Sequence, residues 1–334
     1  MMKKLGVLSF IFVTISLMVG CKSRKSLFTP TSSGRPYEML VVVGDAMWDQ
    51  PAGRALFNVL DTDVPGLPQS ERSFRLMHCS QDHYDATMRL LRNIIQVNID
   101  DKMYTQAKMS VANDAHSAPQ LILNIQAPDQ GSFVDFVTKN KEQILDLFNK
   151  AEMNRQIAQL ETGHSPLISA KVDSLFGCDI WLPSEMLSTK VSPDFLWAAT
   201  NTPTGDLNFV MYSYPFETDS TFTQNYFVAK RDSFMKANIP GAEVGMYMMT
   251  DSRYVSTESI ELNGEYCQVN RGLWRMHNDQ MGGPFVSHSM IDRVHGRVIT
   301  CEVFVYSPDR PKRNLIRRVE ASLFTLKLPT ESKK

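Results

Sequence analysis

Four long segments of alternating apolar and polar residues follow one another near the end of this 334-residue chain. They cover residues 252–262, 265–276, 285–294 and 297–306. Alternation with a period of two is typical of half-buried strands. Asn263-Gly264 lies between the first two segments and favours a tight hairpin turn, and His295-Gly296 marks a similar turn between the last two. The pattern predicts an antiparallel sheet built from consecutive hairpins.

Shorter strands and amphipathic helices account for the rest of the pattern. The clearest helix is predicted at about 130–160, where apolar residues recur at helical spacing behind Asp129, a residue type that commonly caps helices. The other predicted helices cover about 51–60, 82–91, 166–176, 221–237 and 310–326. Further strands are predicted at about 39–43, 74–79, 94–99, 121–126, 178–182, 195–200 and 207–214. The sequence therefore predicts the α+β class, with mainly antiparallel sheets and packed helices.

The first twenty residues have the composition of a secretory signal peptide. Two lysines precede an apolar run at 5–19, which is shorter than the roughly 18–20 residues that span a bilayer. Leu17-Met18-Val19-Gly20-Cys21 then resembles a lipobox, with Met18 in place of the usual leucine. We predict a signal peptide at 1–20 and a lipid on Cys21; a plain signal peptide and an uncleaved anchor are the alternatives.

The residues after Cys21 indicate where such a lipoprotein would reside. Residues 21–35 are rich in serine, threonine and lysine, which predicts a flexible tether. Basic residues at 22–25 can rest against anionic headgroups. No aspartate follows Cys21, and an acidic surface-export stretch is missing. The pattern resembles lipoproteins of the outer membrane, so we expect the folded part to face the periplasm.

Two similar units are predicted, because the same order of elements occurs twice. A strand, an X-Pro-Asp turn and a helix recur at Ala127-Pro128-Asp129 and at Ser307-Pro308-Asp309. A duplicated β-α-β-β-α arrangement and a chance repeat of turn chemistry both explain this. The 314 residues that follow a cut before Cys21 exceed the roughly 250–300 residues of one core. We predict an N-terminal α+β unit at 36–163 and a C-terminal α+β unit at 164–334.

The sequence lacks the motifs of several kinds of binding and catalytic site. The formal net charge of −1 gives no field that favours nucleic acid. Gly44-Asp45-Ala46-Met47-Trp48 follows an apolar strand but lacks both the GxGxxG pattern and the P-loop lysine. There is no GxSxG and no HExxH. His277, His288 and His295 have spacings that match no recognised metal site. We expect no cofactor and no metal.

The cysteines that follow Cys21 are widely spaced, with no CxxC pair; they are Cys79, Cys178, Cys267 and Cys301. Buried free thiols are the simpler interpretation, and a Cys267–Cys301 bridge between neighbouring strands is the alternative. His78 precedes Cys79 on a predicted strand, where neighbouring side chains point to opposite faces. The sequence therefore does not predict a thiol–imidazole pair.

The loop at 274–285 is the densest polar segment and the candidate site. His277 and Asp279 are two residues apart and could orient each other for acid–base chemistry. Trp274, Arg275, Gly282 and Gly283 are candidate ligand-binding residues. The same residue types also suit a long hairpin turn, which is the alternative. The last predicted helix carries four basic residues, which are Lys312, Arg313, Arg317 and Arg318. Their ordinary interpretation is a solvated face of that helix.

Short motifs along the chain resemble one protein family. With the lipobox, these are Val41–Asp45, Gly66–Gln69, Arg92–Ile95 and Met281–Phe285. Together they resemble a lipoprotein family of the Bacteroidota, whose domain of unknown function spans nearly the whole mature chain. The resemblance implies a periplasm-facing lipoprotein and supplies no catalytic residues. Our leading hypothesis is a non-catalytic envelope module that binds a protein or glycan; an envelope hydrolase at the 274–285 loop is the alternative.

Overall fold

The computed structural model describes residues 29–203 and 205–330, and it confirms the α+β class. Two sheets are present in these ranges, each with helices packed against it. No helix within them is long and apolar enough to cross a membrane. The predicted signal peptide and Cys21 lie outside the described residues. The last part of the predicted tether is attached to the protein, because Thr31 bridges to Ala118 and Ser33 to Leu91.

The first sheet has the strand order β2-β1-β3-β5-β4. Its strands are β1 Glu38–Val42, β2 Arg75–Cys79, β3 Asn93–Ile99, β4 Lys108–Asn113 and β5 Leu121–Ala127. All pairings are parallel except the one between β4 and β5. The expectation of a mainly antiparallel sheet was wrong for this half of the chain. Residues 39–43 are buried on both faces, because α-helices cover one face of the sheet and the segment with Tyr84 and Met88 covers the other.

The helices of this half are α1 Asp45–Trp48, α2 Pro51–Leu60, α3 Gln130–Lys139 and α4 Lys141–Gly163. Asp129 caps α3 as predicted, since its carboxylate accepts a hydrogen bond from the Ser132 amide at 2.8 Å. The helix predicted at 130–160 divides at Asn140, whose side chain donates to the Phe136 carbonyl at 2.8 Å and so competes with the backbone. The α-helix predicted at 82–91 is replaced by two short 3₁₀ turns.

The second sheet is antiparallel throughout, in the order β6-β7-β8-β12-β11-β10-β9. Its strands are β6 Ser188–Ser192, β7 Phe195–Ala199, β8 Asp206–Pro215, β9 Met248–Leu262, β10 Glu265–Met276, β11 Gly282–Asp292 and β12 Arg297–Tyr306. The predicted hairpins are confirmed, and Asn263 and Gly264 both take positive φ at the first turn. The strand predicted at 178–182 does not form; Asp179 makes a single bridge to Lys327.

Helices cover both faces of the second sheet; they are α5 Pro166–Phe176, α6 Gln224–Asn238 and α7 Arg313–Leu323. α5 and α7 pack on the face that carries Val269 and Val303, while α6 packs on the face that carries Tyr212 and Phe285. The two sheets differ in strand order and pairing direction. The repeated X-Pro-Asp turns therefore reflect shared turn chemistry and not a duplicated arrangement.

The four cysteines within the described residues are buried free thiols. Cys267 lies on β10 and Cys301 on β12, with β11 between them, so these are not neighbouring strands and the bridge considered above does not form. Burial raises the pKa of both Cys178 and Cys267 to about 12. Because the thiolate is the reactive form, these thiols are chemically inert core residues.

Candidate functional site

The loop predicted as the site consists of two strand ends and a tight turn. The His277 ring stacks on Tyr247, with 4.8 Å between ring centroids. The Asp279 carboxylate accepts a hydrogen bond from the amide of Gln280 at 2.5 Å. Within the described residues, no hydrogen bond or ion pair joins His277 to Asp279. The pair therefore does not form the acid–base arrangement that their spacing suggested.

The other candidate residues of this loop contribute to strand packing. Trp274 is 2% exposed, and its indole N–H donates to the Val305 carbonyl at 3.3 Å. A Cβ at Gly283 would lie 2.1 Å from the same carbonyl oxygen, and one at Gly282 would lie 2.9 Å from the Trp274 carbonyl oxygen. The two glycines thus allow strands to approach closely. Arg275 is exposed.

We expect Gly283→Ala to destabilise the protein by about 2–3 kcal/mol, because the added methyl group must push two backbone segments apart. His277→Ala, which removes a half-exposed ring from the same loop, should change the free energy of unfolding by about 1 kcal/mol or less. Urea denaturation of the two variants checks this. Equal stability of Gly283→Ala and the wild type would show that the glycine is not required for packing.

The histidines considered for metal binding lie in different environments and have different partners. His288 is fully buried in β11, whereas the His295 ring bonds the Asp292 carboxylate at 2.7 Å. No group of three His, Cys, Asp or Glu side chains suited to a metal occurs within the described part of the chain. His78 and Cys79 point to opposite faces of β2: the His78 ring stacks on Trp48, at 4.8 Å between centroids, and Cys79 lies in a separate apolar cluster.

Of the four basic residues predicted to form a solvated face, Arg318 is exposed as expected, but Lys312 and Arg317 are buried. Lys312 is 5% exposed and Arg317 is 8% exposed, because α7 lies against the first domain. The Glu71 carboxylate caps α7 by accepting hydrogen bonds from the backbone amides of Lys312 and Arg313, at 2.7 and 2.9 Å. Arg317 donates to the Ser73 carbonyl at 3.0 Å. These cations join the two halves of the molecule.

A cleft of about 500 Å³ opens beside this contact, between the two halves. Its apolar wall combines residues from a loop, from α4 and from α7; they include Leu67, Met153, Ile157, Ile316 and Phe324. Gly66 takes a φ of 78° at the tip of the loop, and a Cβ there would lie 3.3 Å from Arg271 Cβ. The glycine therefore lets the loop close over the second sheet.

The floor of the cleft carries an ion-pair network centred on Arg271. The Arg271 guanidinium bonds Glu320 at 2.6 Å and Glu258 at 3.4 Å. Burial opposes the charged form of Arg271, but the two carboxylates outweigh it and raise the pKa of this side chain. Burial likewise acts against the charge on Glu320, yet Arg271 holds the pKa of that carboxyl below its ordinary value. Both groups are therefore charged at neutral pH.

Two further polar groups lie in the cleft, on Arg317 and Asn149. The Arg317 guanidinium lies 4.3 Å from the centre of the Tyr37 ring, and burial lowers its pKa. The side-chain oxygen of Asn149 on α4 is buried and has no hydrogen-bond partner among the described residues. Apolar walls with a few polar groups at their base are typical of binding sites for small molecules and peptide segments.

Sequence reasoning missed this cleft because its residues come from seven separate segments. One signal was present: Arg317 and Glu320 lie in the same helical stripe as the buried Ile316 and Leu323. Charged residues are rarely buried unless they are paired. Their position on an apolar face indicated partners elsewhere in the chain, but gave no means to identify them.

The two halves that border the cleft each match a family model. Residues 32–161 match a domain of unknown function, DUF8532, and residues 165–325 match another, DUF4837. Two domains of unknown function cover the chain. A search of curated proteins finds no match. The cleft thus lies between the DUF8532 and DUF4837 domains, and residues of both line it.

Proposed function

We propose that this chain is a lipid-anchored, non-catalytic binding protein of the cell envelope, whose interdomain cleft holds its ligand. The observation that carries the proposal is the cleft itself, with apolar walls above buried charged and amide groups. The signal-like first twenty residues and the lipobox-like segment before Cys21 support the anchor. The separation of His277 from Asp279 leaves the alternative, a hydrolase at the 274–285 loop, without support.

The lining of the cleft favours a peptide segment as the ligand. Its charged side chains are of both signs, from Asp146 and Lys150 at the rim to Arg271 and Glu320 on the floor. A lining of this kind complements a peptide segment, because a peptide presents apolar side chains, charged side chains and a polar backbone together. A volume of about 500 Å³ accommodates a few side chains. The partner that we infer is therefore a segment of another envelope protein.

Site-specific photocrosslinking in cells tests the cleft. A photoreactive residue in place of Lys150, an exposed position on α4 that lines the cleft, should yield a discrete protein adduct. The same residue in place of Glu142, which is exposed on α4 outside the cleft, should not. Adding Ile157→Glu, which puts a carboxylate on the apolar wall, should remove the Lys150 adduct. Equal adducts from both positions would contradict the proposal.

The anchor has a separate test. Labelled palmitate should be incorporated into the wild-type chain and not into Cys21→Ser, and only the wild type should sediment with the membrane fraction. Equal labelling of the two chains would exclude Cys21 as the lipid attachment site. That result would not affect the proposal that the cleft binds a ligand, because the residues that line the cleft are all described and Cys21 is not among them.

A further inference from the structure

A second pocket, of about 580 Å³, opens on the first domain where the described chain begins. Thr31 and Ser32 form one side of it, and Arg92 and Arg155 also line it. Half of the other ten lining residues carry amide or hydroxyl groups; they are Asn113, Gln120, Asn154, Gln159 and Thr162. The pocket lining therefore contains many hydrogen-bonding side chains.

The two arginines of this pocket share one carboxylate. Glu152 on α4 is fully buried and accepts from Arg155 at 2.7 Å, from Arg92 at 3.3 Å and from the Asn93 amide at 2.7 Å. Its two oxygens are thus already engaged. Among the described residues that line the pocket, Asp114 is the only acidic one, and one of its oxygens accepts from the Gln120 backbone amide at 2.8 Å. Two arginines and one carboxylate thus line the pocket, and the buried Glu152 is the second carboxylate of the cluster.

Two other arginines, each paired with a carboxylate, show the effect of full compensation. At Arg231 and Arg271, paired carboxylates overcome the effect of burial and raise the pKa of the guanidinium. At Arg155 burial prevails, helped by the neighbouring charge of Arg92, and the pKa is lowered despite Glu152. The positive charge at this pocket is therefore less well neutralised than at the structural ion pairs.

Two buried hydrogen-bond donors belong to residues that line the same pocket. Arg92 Nε and the Ser32 hydroxyl are buried and have no hydrogen-bond partner among the described residues. A buried donor without a partner costs about 1–3 kcal/mol, so such groups are normally satisfied by a ligand or water. Arginine presents several donors in a planar fork that matches the oxygens of a phosphate.

We propose that the Arg92–Arg155 pocket binds a phosphate group, either as free phosphate or as part of a phospholipid headgroup. The pocket is much larger than a phosphate ion, which leaves room for an attached headgroup. Thr31 is ten residues from Cys21, so the pocket lies within about 35 Å of the proposed lipid. Binding of a phospholipid headgroup therefore depends on the proposed lipid anchor, whereas binding of free phosphate does not.

Calorimetric titration of the full-length protein in nonionic detergent tests the proposal. The probes are inorganic phosphate, glycerol 3-phosphate and the soluble short-chain lipid dihexanoyl phosphatidylglycerol. At least one should bind saturably, and Arg92→Gln should weaken that binding tenfold or more. The matched control is Arg89→Gln, which removes an exposed arginine three residues away that does not line the pocket. Its affinity should equal that of the wild type.

The relative affinities of the three probes distinguish a phospholipid headgroup from free phosphate as the ligand. Tighter binding of the short-chain lipid than of phosphate supports a headgroup, and equal binding of all three supports free phosphate. No saturable binding of any probe at millimolar concentration, or wild-type affinity in Arg92→Gln, would overturn the proposal. If Arg92→Gln does not fold, Ser32→Ala replaces it and should weaken binding at least threefold. Equal labelling of Cys21→Ser and the wild type would refute the anchor without affecting phosphate binding.

Discussion

Replacing Arg231 with methionine is expected to lower the free energy of unfolding by about 3–5 kcal/mol, because it leaves a buried carboxylate unpaired. Arg231 on α6 and Glu302 on β12 are both fully buried. The guanidinium donates two hydrogen bonds to the carboxylate, at 2.8 and 2.7 Å, and a third to the Thr250 hydroxyl at 2.9 Å. This ion pair joins α6 to the second sheet.

The double variant Arg231→Met with Glu302→Leu should recover most of that loss, since it removes both buried charges together. Arg253→Met is the matched control. Arg253 pairs with Asp251 at 2.7 Å, but its side chain is 74% exposed, so its loss should cost less than about 1 kcal/mol. Urea denaturation at pH 7 measures all three variants. A cost below 1 kcal/mol for Arg231→Met would show that the pair is not required for stability.

Acid should destabilise the folded protein through His288. Burial lowers the pKa of this fully buried ring to about 4, although Glu320 acts in the opposite direction. In the unfolded chain a histidine has a pKa of about 6.5. Above that value both states are neutral and His288 does not affect stability. As the pH falls from about 6.5 to about 4, the unfolded chain takes up a proton that the folded chain does not, which costs up to ~3 kcal/mol.

The test compares pH dependence and not absolute stability, because His288→Gln leaves a polar side chain in the core. The loss of stability between pH 6.5 and pH 4 should shrink by up to ~3 kcal/mol in His288→Gln. His277→Gln is the control, since its ring is half-exposed and stacks on Tyr247; it should keep the wild-type pH dependence. An unchanged pH dependence in His288→Gln would contradict the expected burial of a neutral imidazole.

Local patterns predicted the second sheet better than the first. The four long strands and their turns follow from alternation and from Asn263-Gly264, both of which depend on residues near one another in sequence. In the first sheet the strands at 39–43 and 121–126 were recognised, but the pairing direction was not. Direction depends on which strands become neighbours through crossover connections, and residue spacing does not record this. The edge strand Lys108–Asn113 was missed, because it is largely exposed and only weakly apolar.

By itself, the sequence determined the α+β class, the hairpin turns and the cap at Asp129, because each depends on a short stretch of residues. Only the tertiary structure decided where the sites lie. It left His277 and Asp279 without a mutual hydrogen bond or ion pair among the described residues, and it brought together Arg271 and Glu320, which are 49 positions apart along the chain. Their ion pair forms where α7 packs between the two domains. Such packing depends on the shape and charge of whole surfaces, which sequence spacing does not specify.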